Sequence, residues 1–315
     1  MLRYLLRRAV EAVPVLLGIS VIGFLIVRLA PGDPASLLAD MTQLSPEQQH
    51  QYRVQLGLED ALPIQYLKML VALCTGTLVS LRSGQSTVQL VLDALPITMV
   101  LMLLSIVVGT LTGVACGAIA AWRPRTFVDS VVTLLALLGL SLPQFWLGLM
   151  LITVFAANLH WLPAAGLAQP GRQPGLDSLP YLLMPTVVLA AGTVATLARF
   201  TRSSMLEVLA QDYVRTARGK GLNERAVLIG HALRNSLVTV TSLVGVLIPI
   251  LLSTTVIVES VFGLPGLGQL TVAAALSRDY PVVFTTNLVA AVIVLLSSLL
   301  TDLVYTAVDP RMALE

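Results

Sequence analysis

The segment from 199 to 235 carries the clearest functional pattern in this sequence, because basic residues, glycines and helix formers alternate within it. Its apolar residues recur at helical spacing, namely Leu206, Leu209, Ala210, Tyr213, Val214 and Ala217. This spacing predicts an amphipathic helix. Glycines 219 and 221, on either side of Lys220, should end it, and Asn223 is placed to cap a second helix over about 224–235.

The apolar stripe of this predicted helix-turn-helix needs a partner. It could lie in the lipid interface. Since it contains few large side chains, a groove in another protein is the better interpretation.

The same residues carry no pattern of catalysis. The stretch Gly219-Lys220-Gly221 is the nearest approach to a phosphate-binding loop, but it lacks the spacing G-x-x-x-x-G-K-[ST]. The three histidines fall in different loops, and Cys74 and Cys116 belong to no metal-binding or disulfide pattern. We therefore predict no catalytic residue, no metal site and no cofactor bound by this chain.

The elements that position this segment are membrane helices. Of the 315 residues, 56% are hydrophobic and only 11% are charged, whereas a soluble domain carries roughly 25% charge. Five long uncharged runs, and an apolar stretch that follows Arg8, are each long enough to cross a bilayer. They predict an all-α membrane protein with six transmembrane helices. These predicted spans lie at about 9–29, 94–122, 130–159, 178–198, 235–258 and 280–301.

The charges predict the orientation of the spans. Arg3, Arg7 and Arg8 precede the first span, and the segment 199–235 holds many of the remaining basic residues. By the positive-inside rule, both termini and this segment are cytoplasmic. The first span is interpreted as an uncleaved anchor, because Arg28 lies where a signal peptidase requires small residues. No basic tail or alternation of basic and aromatic residues indicates nucleic-acid binding.

The segment 31–93 is more polar than the rest and is predicted as a small extracytoplasmic insert. Ser45 followed by Pro46 and Glu47 predicts a capped helix over about 46–56 that ends at Gly57. Two interpretations stay open: the insert caps the helix bundle, or it is a docking surface for a partner that delivers substrate.

Two patterns inside the spans have structural interpretations. Gly109, Gly113 and Gly117 form a small-residue face that predicts close helix packing. Glu259 and Asp302 border the last two spans, where we expect their carboxylates to reach water and to serve structure rather than proton transfer.

Taken together and in order, several short motifs make the chain resemble the first permease subunit of bacterial ABC importers of the dipeptide/oligopeptide/nickel family. The resemblance covers nearly the whole chain, and the matching stretches are 28–34, 198–207, 212–222, 231–235, 259–262, 265–268, 278–281 and 309–311. It implies a type I ABC importer permease fold with four parts: a cytoplasmic tip and first helix (1–30), the insert (31–93), a permease core (94–308) and a cytoplasmic tail (309–315).

The resemblance also implies a mechanism. The cytoplasmic loop 199–235 would be the EAA coupling loop that docks on an ATP-hydrolysing subunit, with its contacts at Asp212, Tyr213, Arg215, Thr216, Ala217, Lys220, Gly221 and Leu222. The implied partners are a second homologous permease, two ATP-binding subunits that use ATP and magnesium, an extracytoplasmic substrate-binding protein and the lipid of the bacterial inner membrane. Short peptides are the expected substrate, with nickel, glutathione or another small solute as alternatives. A secondary transporter is the competing function from another class.

Overall fold

The structure is a computed structural model that describes residues 2–29, 45–55, 57–167 and 175–308. Almost all of this is helical, and Val79 and Ser86 form an isolated antiparallel bridge. The α-helices are α1 (Leu2–Leu29), α2 (Pro46–Gln55), α3 (Leu62–Cys74), α4 (Thr87–Trp122), α5 (Phe127–Ser141), α6 (Gln144–Leu151), α7 (Leu179–Leu209), α8 (Asp212–Gly219), α9 (Glu224–Ala226), α10 (Arg234–Phe262), α11 (Leu267–Leu276) and α12 (Tyr280–Val308). There are two π-helical segments. Ile152–Asn158 continues α6, and Val227–Leu233 leads into α10.

Five of these helices are long and apolar enough to cross a membrane, and the number is six if a bent pair of helices forms one span. The six-span expectation agrees with this range, with one correction. The span predicted as one helix over 130–159 is broken after Ser141, and the chain bends by 106° between its two halves, Phe127–Ser141 and Gln144–Asn158. The physical reason is Pro143, which has no N–H to continue the helix and forces Leu142 into an extended conformation.

The chain divides into two compact units, of which the first combines 1–96 with 266–295. Inside it, the Asp279 carboxylate is buried and accepts hydrogen bonds from the Ser80 hydroxyl and from the amides of Leu81, 3.1 Å, and Arg82, 3.4 Å. This carboxylate fastens the end of the insert to the corner between α11 and α12, and so gives the 278–281 motif a structural role.

The predicted capped helix of the insert is confirmed. Helix α2 begins at Pro46, where the Ser45 hydroxyl accepts from the Gln48 amide at 3.3 Å and the Gln48 side chain accepts from the Ser45 amide at 2.9 Å. Gly57 follows the helix with a φ of +66°. The stretches 31–34 and 309–311 lie outside the described residues.

The second unit combines 97–265 with 296–315. Its centre is α7, against which α4 packs through the predicted glycine face. A Cβ atom at Gly109 would lie 2.7 Å from the Thr193 side chain, and one at Gly117 would lie 2.5 Å from the carbonyl oxygen of Ala198. The face therefore serves close packing, as predicted.

Candidate functional site

The coupling-loop candidate is built around the turn at Gly221. Helix α8 ends at Gly219, and the next residues close a Schellman motif in which the Gly221 amide donates to the Arg218 carbonyl at 2.9 Å and the Leu222 amide donates to the Ala217 carbonyl at 3.4 Å. Gly221 has a φ of +85°, a conformation that costs a residue with a side chain about 1–2 kcal/mol. The predicted glycine turn is confirmed, and Gly221 is the residue that needs to be glycine.

A second helix cap follows the turn. The Asn223 side chain accepts a hydrogen bond from the Ala226 amide at 2.8 Å, so its predicted capping role is confirmed. The helix beyond it differs from the expectation. Only Glu224–Ala226 is α-helical before the π segment, which then passes without interruption into α10.

The apolar stripe predicted on one helix is divided in the structure. Helix α7 ends at Leu209 and α8 begins at Asp212, so the predicted helix is interrupted at residues 210–211. Leu206 and Leu209 pack against a cluster of buried side chains that comprises Ala121, Met205, Leu228 and Ala232. Val214 and Ala217 are also buried, because α8 packs on α7 and the π segment.

Docking of this segment in an external groove stays a prediction, but the expectation that the whole stripe is exposed is wrong, because Val214 and Ala217 are buried. The chain covers most of it with its own residues, and α8 turns a polar face outward. Of the eight predicted contact residues, Ala217 is buried and the other seven are exposed: Asp212, Tyr213, Arg215, Thr216, Lys220, Gly221 and Leu222. We call these seven exposed residues the rim. Tyr213 and Leu222, each nearly half exposed, are the large apolar side chains of the rim.

Two side-chain contacts hold the rim in place. The Asn235 side chain donates to the Tyr213 hydroxyl at 2.8 Å and so joins α8 to the start of α10. The Arg218 guanidinium bridges the Gly221 turn to Glu224 with contacts of 2.6 and 3.2 Å. This guanidinium lowers the pKa of the Glu224 carboxyl below its usual range, and the carboxylate raises the pKa of Arg218 in return.

The rim has the chemistry of a docking surface. It combines paired charges, hydroxyls and two partly exposed apolar side chains on a turn whose backbone hydrogen bonds are satisfied internally. Within the described ranges there is no group of three His, Cys, Asp or Glu residues that could hold a metal ion.

The structure also shows buried carboxylates that the sequence did not reveal. Asp129, on α5, accepts two bonds from the Arg202 guanidinium on α7, at 2.5 and 2.8 Å, and one from the Arg125 amide at 2.9 Å. These partners are 73 residues apart. The only signal in the sequence was the position of an acidic residue next to the end of a predicted span. The contact fixes the first half of the broken span to α7.

Glu259 corrects a prediction. We expected its carboxylate to reach water, but the residue is fully buried and accepts a hydrogen bond from the Thr98 hydroxyl at 2.6 Å. Its structural role agrees with the sequence analysis, because this bond joins α4 to the last turn of α10.

Comparison with protein families gives two matches that together cover nearly the whole chain. A family model described as binding-protein-dependent transport system inner membrane component matches residues 113–314. A second model, described as the N-terminal part of membrane components of such systems, matches residues 1–102.

Relatives match over their full length. The oligopeptide transport system permease protein AppB of Bacillus subtilis is 39% identical over 314 residues, which cover 99% of each chain. A putative peptide transport system permease protein of Brucella abortus is 40% identical over 308 residues, which cover 98% of each chain.

Two solved structures share the fold. A chain of the MetNI methionine ABC transporter, in an inward-facing conformation, superposes with a TM-score of 0.55 at 17% identity and covers 70% of this chain and 97% of its own. A chain of an amino acid ABC transporter with histidines gives a TM-score of 0.51 at 17% identity and covers 71% of this chain and 94% of its own.

Proposed function

The chain belongs to the family of binding-protein-dependent transport system inner membrane components, and on this premise we propose that its system imports short peptides. It is a permease subunit with the fold of type I ABC importer permeases. The peptide substrate rests on one observation: relatives that match over their full length at 39 and 40% identity are named as oligopeptide and peptide permeases. Nickel, glutathione or another small solute are the alternative substrates.

The proposed assembly has several further subunits. A second, homologous permease completes the membrane path, and an extracytoplasmic binding protein delivers the peptide. Two ATP-binding subunits bind ATP and magnesium and hydrolyse the ATP, so this chain itself is no enzyme and holds no cofactor. A self-contained secondary transporter, the competing function, would need none of these subunits.

The orientation is part of the proposal. Both termini and the loop 199–235 lie in the cytoplasm, and the insert 31–93 lies outside. The tip and first helix (1–30), the insert, the core (94–308) and the tail (309–315) are the proposed parts of the chain. The distribution of Lys and Arg among the loops supports this arrangement.

We assign coupling to the exposed rim of α8 and the Gly221 turn. Val214 and Ala217 anchor α8 inside the chain, whereas Tyr213, Lys220 and Leu222 lie on the exposed side. Because the hydrogen bonds of the turn are satisfied internally, a force applied to the rim passes to α7 and α10 with little local deformation. The rim would therefore transmit nucleotide-driven motion of the ATPase to the spans.

The decisive experiment compares two exposed apolar positions on opposite sides of the membrane. We expect Leu222→Asp to reduce the recovery of ATPase subunits with the tagged permease at least about ten-fold, because burying an unpaired carboxylate costs several kcal/mol. Val54→Asp, on the insert, is the matched control, since Val54 is also about half exposed. Its ATPase recovery should equal that of the unchanged complex.

Uptake of a radiolabelled dipeptide into vesicles then tests the substrate. ATP-dependent accumulation that requires the binding protein, and that Leu222→Asp abolishes, is the expected result. Peptide uptake without ATPase subunits would instead establish a secondary transporter. ATP-dependent uptake of nickel or glutathione but of no peptide would retain the assembly and replace the substrate.

A further inference from the structure

The strongest unexplained feature is the break in the third span. Helix α5 ends at Ser141, Leu142 and Pro143 are extended, and α6 begins at Gln144. The chain bends by 106° between the two halves. Nothing in the coupling mechanism uses this break, so its depth and its surroundings need a separate explanation.

The break lies deep inside the membrane. A Cβ atom at Gly139 would lie 3.2 Å from the Ala191 carbonyl oxygen, and one at Gly192 would lie 3.8 Å from the Gln144 amide nitrogen Nε2. At about 1.5 Å per residue, Gly192 is about 10 Å along α7 from Arg199 and about 20 Å from Leu179. Since the hydrocarbon core is about 30 Å thick, neither end of the break reaches the membrane surface.

The contact between α4 and α7 independently indicates that the break lies within the hydrocarbon core. Gly109 lies close to the middle of the uncharged run 94–122 and packs directly against Thr193, the neighbour of Gly192. The break is therefore level with the middle of the uncharged run of α4, and on α7 it lies within the hydrocarbon core but nearer to Arg199 than to Leu179.

Among the described residues, the break leaves backbone groups without hydrogen-bond partners. The first amides of α6, at Gln144, Phe145 and Trp146, have no intrahelical acceptor and no side-chain cap. The Gly139 carbonyl loses its helical donor, because Pro143 has no N–H. The Gln144 side-chain oxygen is buried and accepts no hydrogen bond within the part of the chain that the structure describes.

The described part of the chain covers only one side of the break, where Gly139, Leu142 and Gln144 are partly buried. Ser141, Pro143 and Phe145 are all exposed. Lipid tails offer no hydrogen bonds, so irregular backbone at this depth is stable only where other protein covers it or where it lines a water-filled cavity. In secondary transporters, discontinuous helices form substrate sites near the midplane, which shows that such backbone can line a polar cavity.

We propose that the break at 139–146 lines the water-filled path through the importer. This inference rests on the proposed function, because a path requires a transported solute and a second permease opposite the break. The lining is uncharged, since 139–146 contains no ionisable residue. It offers amide donors and carbonyl acceptors together, which are the groups that water and the peptide bonds of a passing solute can pair with.

Thiol labelling in the full complex tests the proposal. In a chain with Cys74→Ser and Cys116→Ala, Ser141→Cys or Phe145→Cys is compared with Leu135→Cys, an exposed position on α5 before the break. The probe is a charged methanethiosulfonate, which reacts with the thiolate and therefore needs water at the site. We expect the cysteines of the break to react at least about ten-fold faster than the one at 135 in the resting or the vanadate-trapped state.

Slow labelling at both 141 and 145 in both states, equal to that at 135, would overturn the proposal and make the break a dry contact with the second permease. Two positions are used so that a failure of one variant to insert leaves the other informative. Labelling involves no uptake step, whereas recovery of the ATPase subunits in the same preparation tests the importer assembly. The two proposals can therefore fail separately.

Discussion

The chain interrupts its helices in two contrasting places, at the Gly221 turn and at the Leu142–Pro143 break. At the turn, a Schellman motif and the Asn223 cap pair the backbone groups that the helix ends expose. At the break, the first amides of α6 have no side-chain cap among the described residues, and Pro143 has no N–H to donate to the Gly139 carbonyl. The backbone hydrogen bonds of the turn are made within the chain, whereas those of the break need partners from its surroundings.

This difference is the reverse of what the solvent alone would demand. Water at the exposed turn could satisfy free backbone groups, yet the chain pairs them, which makes the turn rigid. Hydrocarbon at the break could satisfy none, yet the chain leaves them open. Rigidity suits an element that transmits force, and open hydrogen-bonding groups suit a surface that a polar solute passes.

The largest expected effect comes from breaking the turn. A β-branched side chain is strained at the φ of +85° that Gly221 adopts, so Gly221→Val should distort the rim at a cost of about 1–2 kcal/mol or more. We expect ATP-driven uptake to fall at least about ten-fold while the amount of chain in the membrane is unchanged. Uptake into vesicles and immunoblotting of the membrane fraction measure the two quantities.

Gly219→Ala is the matched control. Gly219 lies in the last turn of α8, has no positive φ and has open space around its Cβ position. Alanine should stabilise the helix by up to about 1 kcal/mol and leave uptake unchanged. Equal losses in both variants would show that the surface, rather than the backbone conformation of Gly221, matters for coupling.

A smaller effect is expected from closing the break. Pro143→Ala restores an N–H that can donate to the Gly139 carbonyl, and it removes the restriction on Leu142. We expect a straighter span in part of the population and a loss of uptake of about five-fold, which corresponds to about 1 kcal/mol. Labelling of Ser141→Cys should slow in the same variant.

Pro249→Ala provides the comparison, because Pro249 lies inside the continuous helix α10. Restoring an N–H there closes no break, so uptake and labelling should stay unchanged. If Pro143→Ala behaved in the same way, the bend would depend on tertiary packing alone and the proline would be dispensable.

The contrast also explains how much could be predicted from the sequence. The Gly221 turn, the Asn223 cap and the capped α2 helix depend on neighbours within a few residues, and all three were predictable. The number of spans followed from their length and hydropathy. The break at Pro143 was missed because a proline within an apolar stretch is compatible with a kinked or a broken helix.

Long-range contacts were beyond the sequence. The stripe on α8 looked unpartnered because nothing local shows that α7 and the π segment cover Val214 and Ala217. Ser80 and Asp279 are 199 residues apart, and Thr98 and Glu259 are 161 apart. No local spacing can reveal such partners, so Glu259 was wrongly expected to reach water.

The smallest effect concerns the ion pair that bridges the turn. Because Arg218 lowers the pKa of Glu224, the pair stabilises the turn fully above the ordinary pKa of a glutamate. This stabilisation is lost as the pH falls through the lowered value. Both side chains are about half exposed, so water and salt reduce this stabilisation to about 0.5 kcal/mol.

In the wild-type complex we expect amide exchange over 218–226, corrected for its intrinsic rate, to rise about two-fold between pH 7 and pH 4. The variant Glu224→Gln should show the raised exchange already at pH 7 and little further change on acidification, and 1 M salt should produce much of the same rise in the wild type at pH 7. A larger acid response that Glu224→Gln retains would place the titrating group elsewhere and leave the turn to be held by its backbone hydrogen bonds and the Asn223 cap.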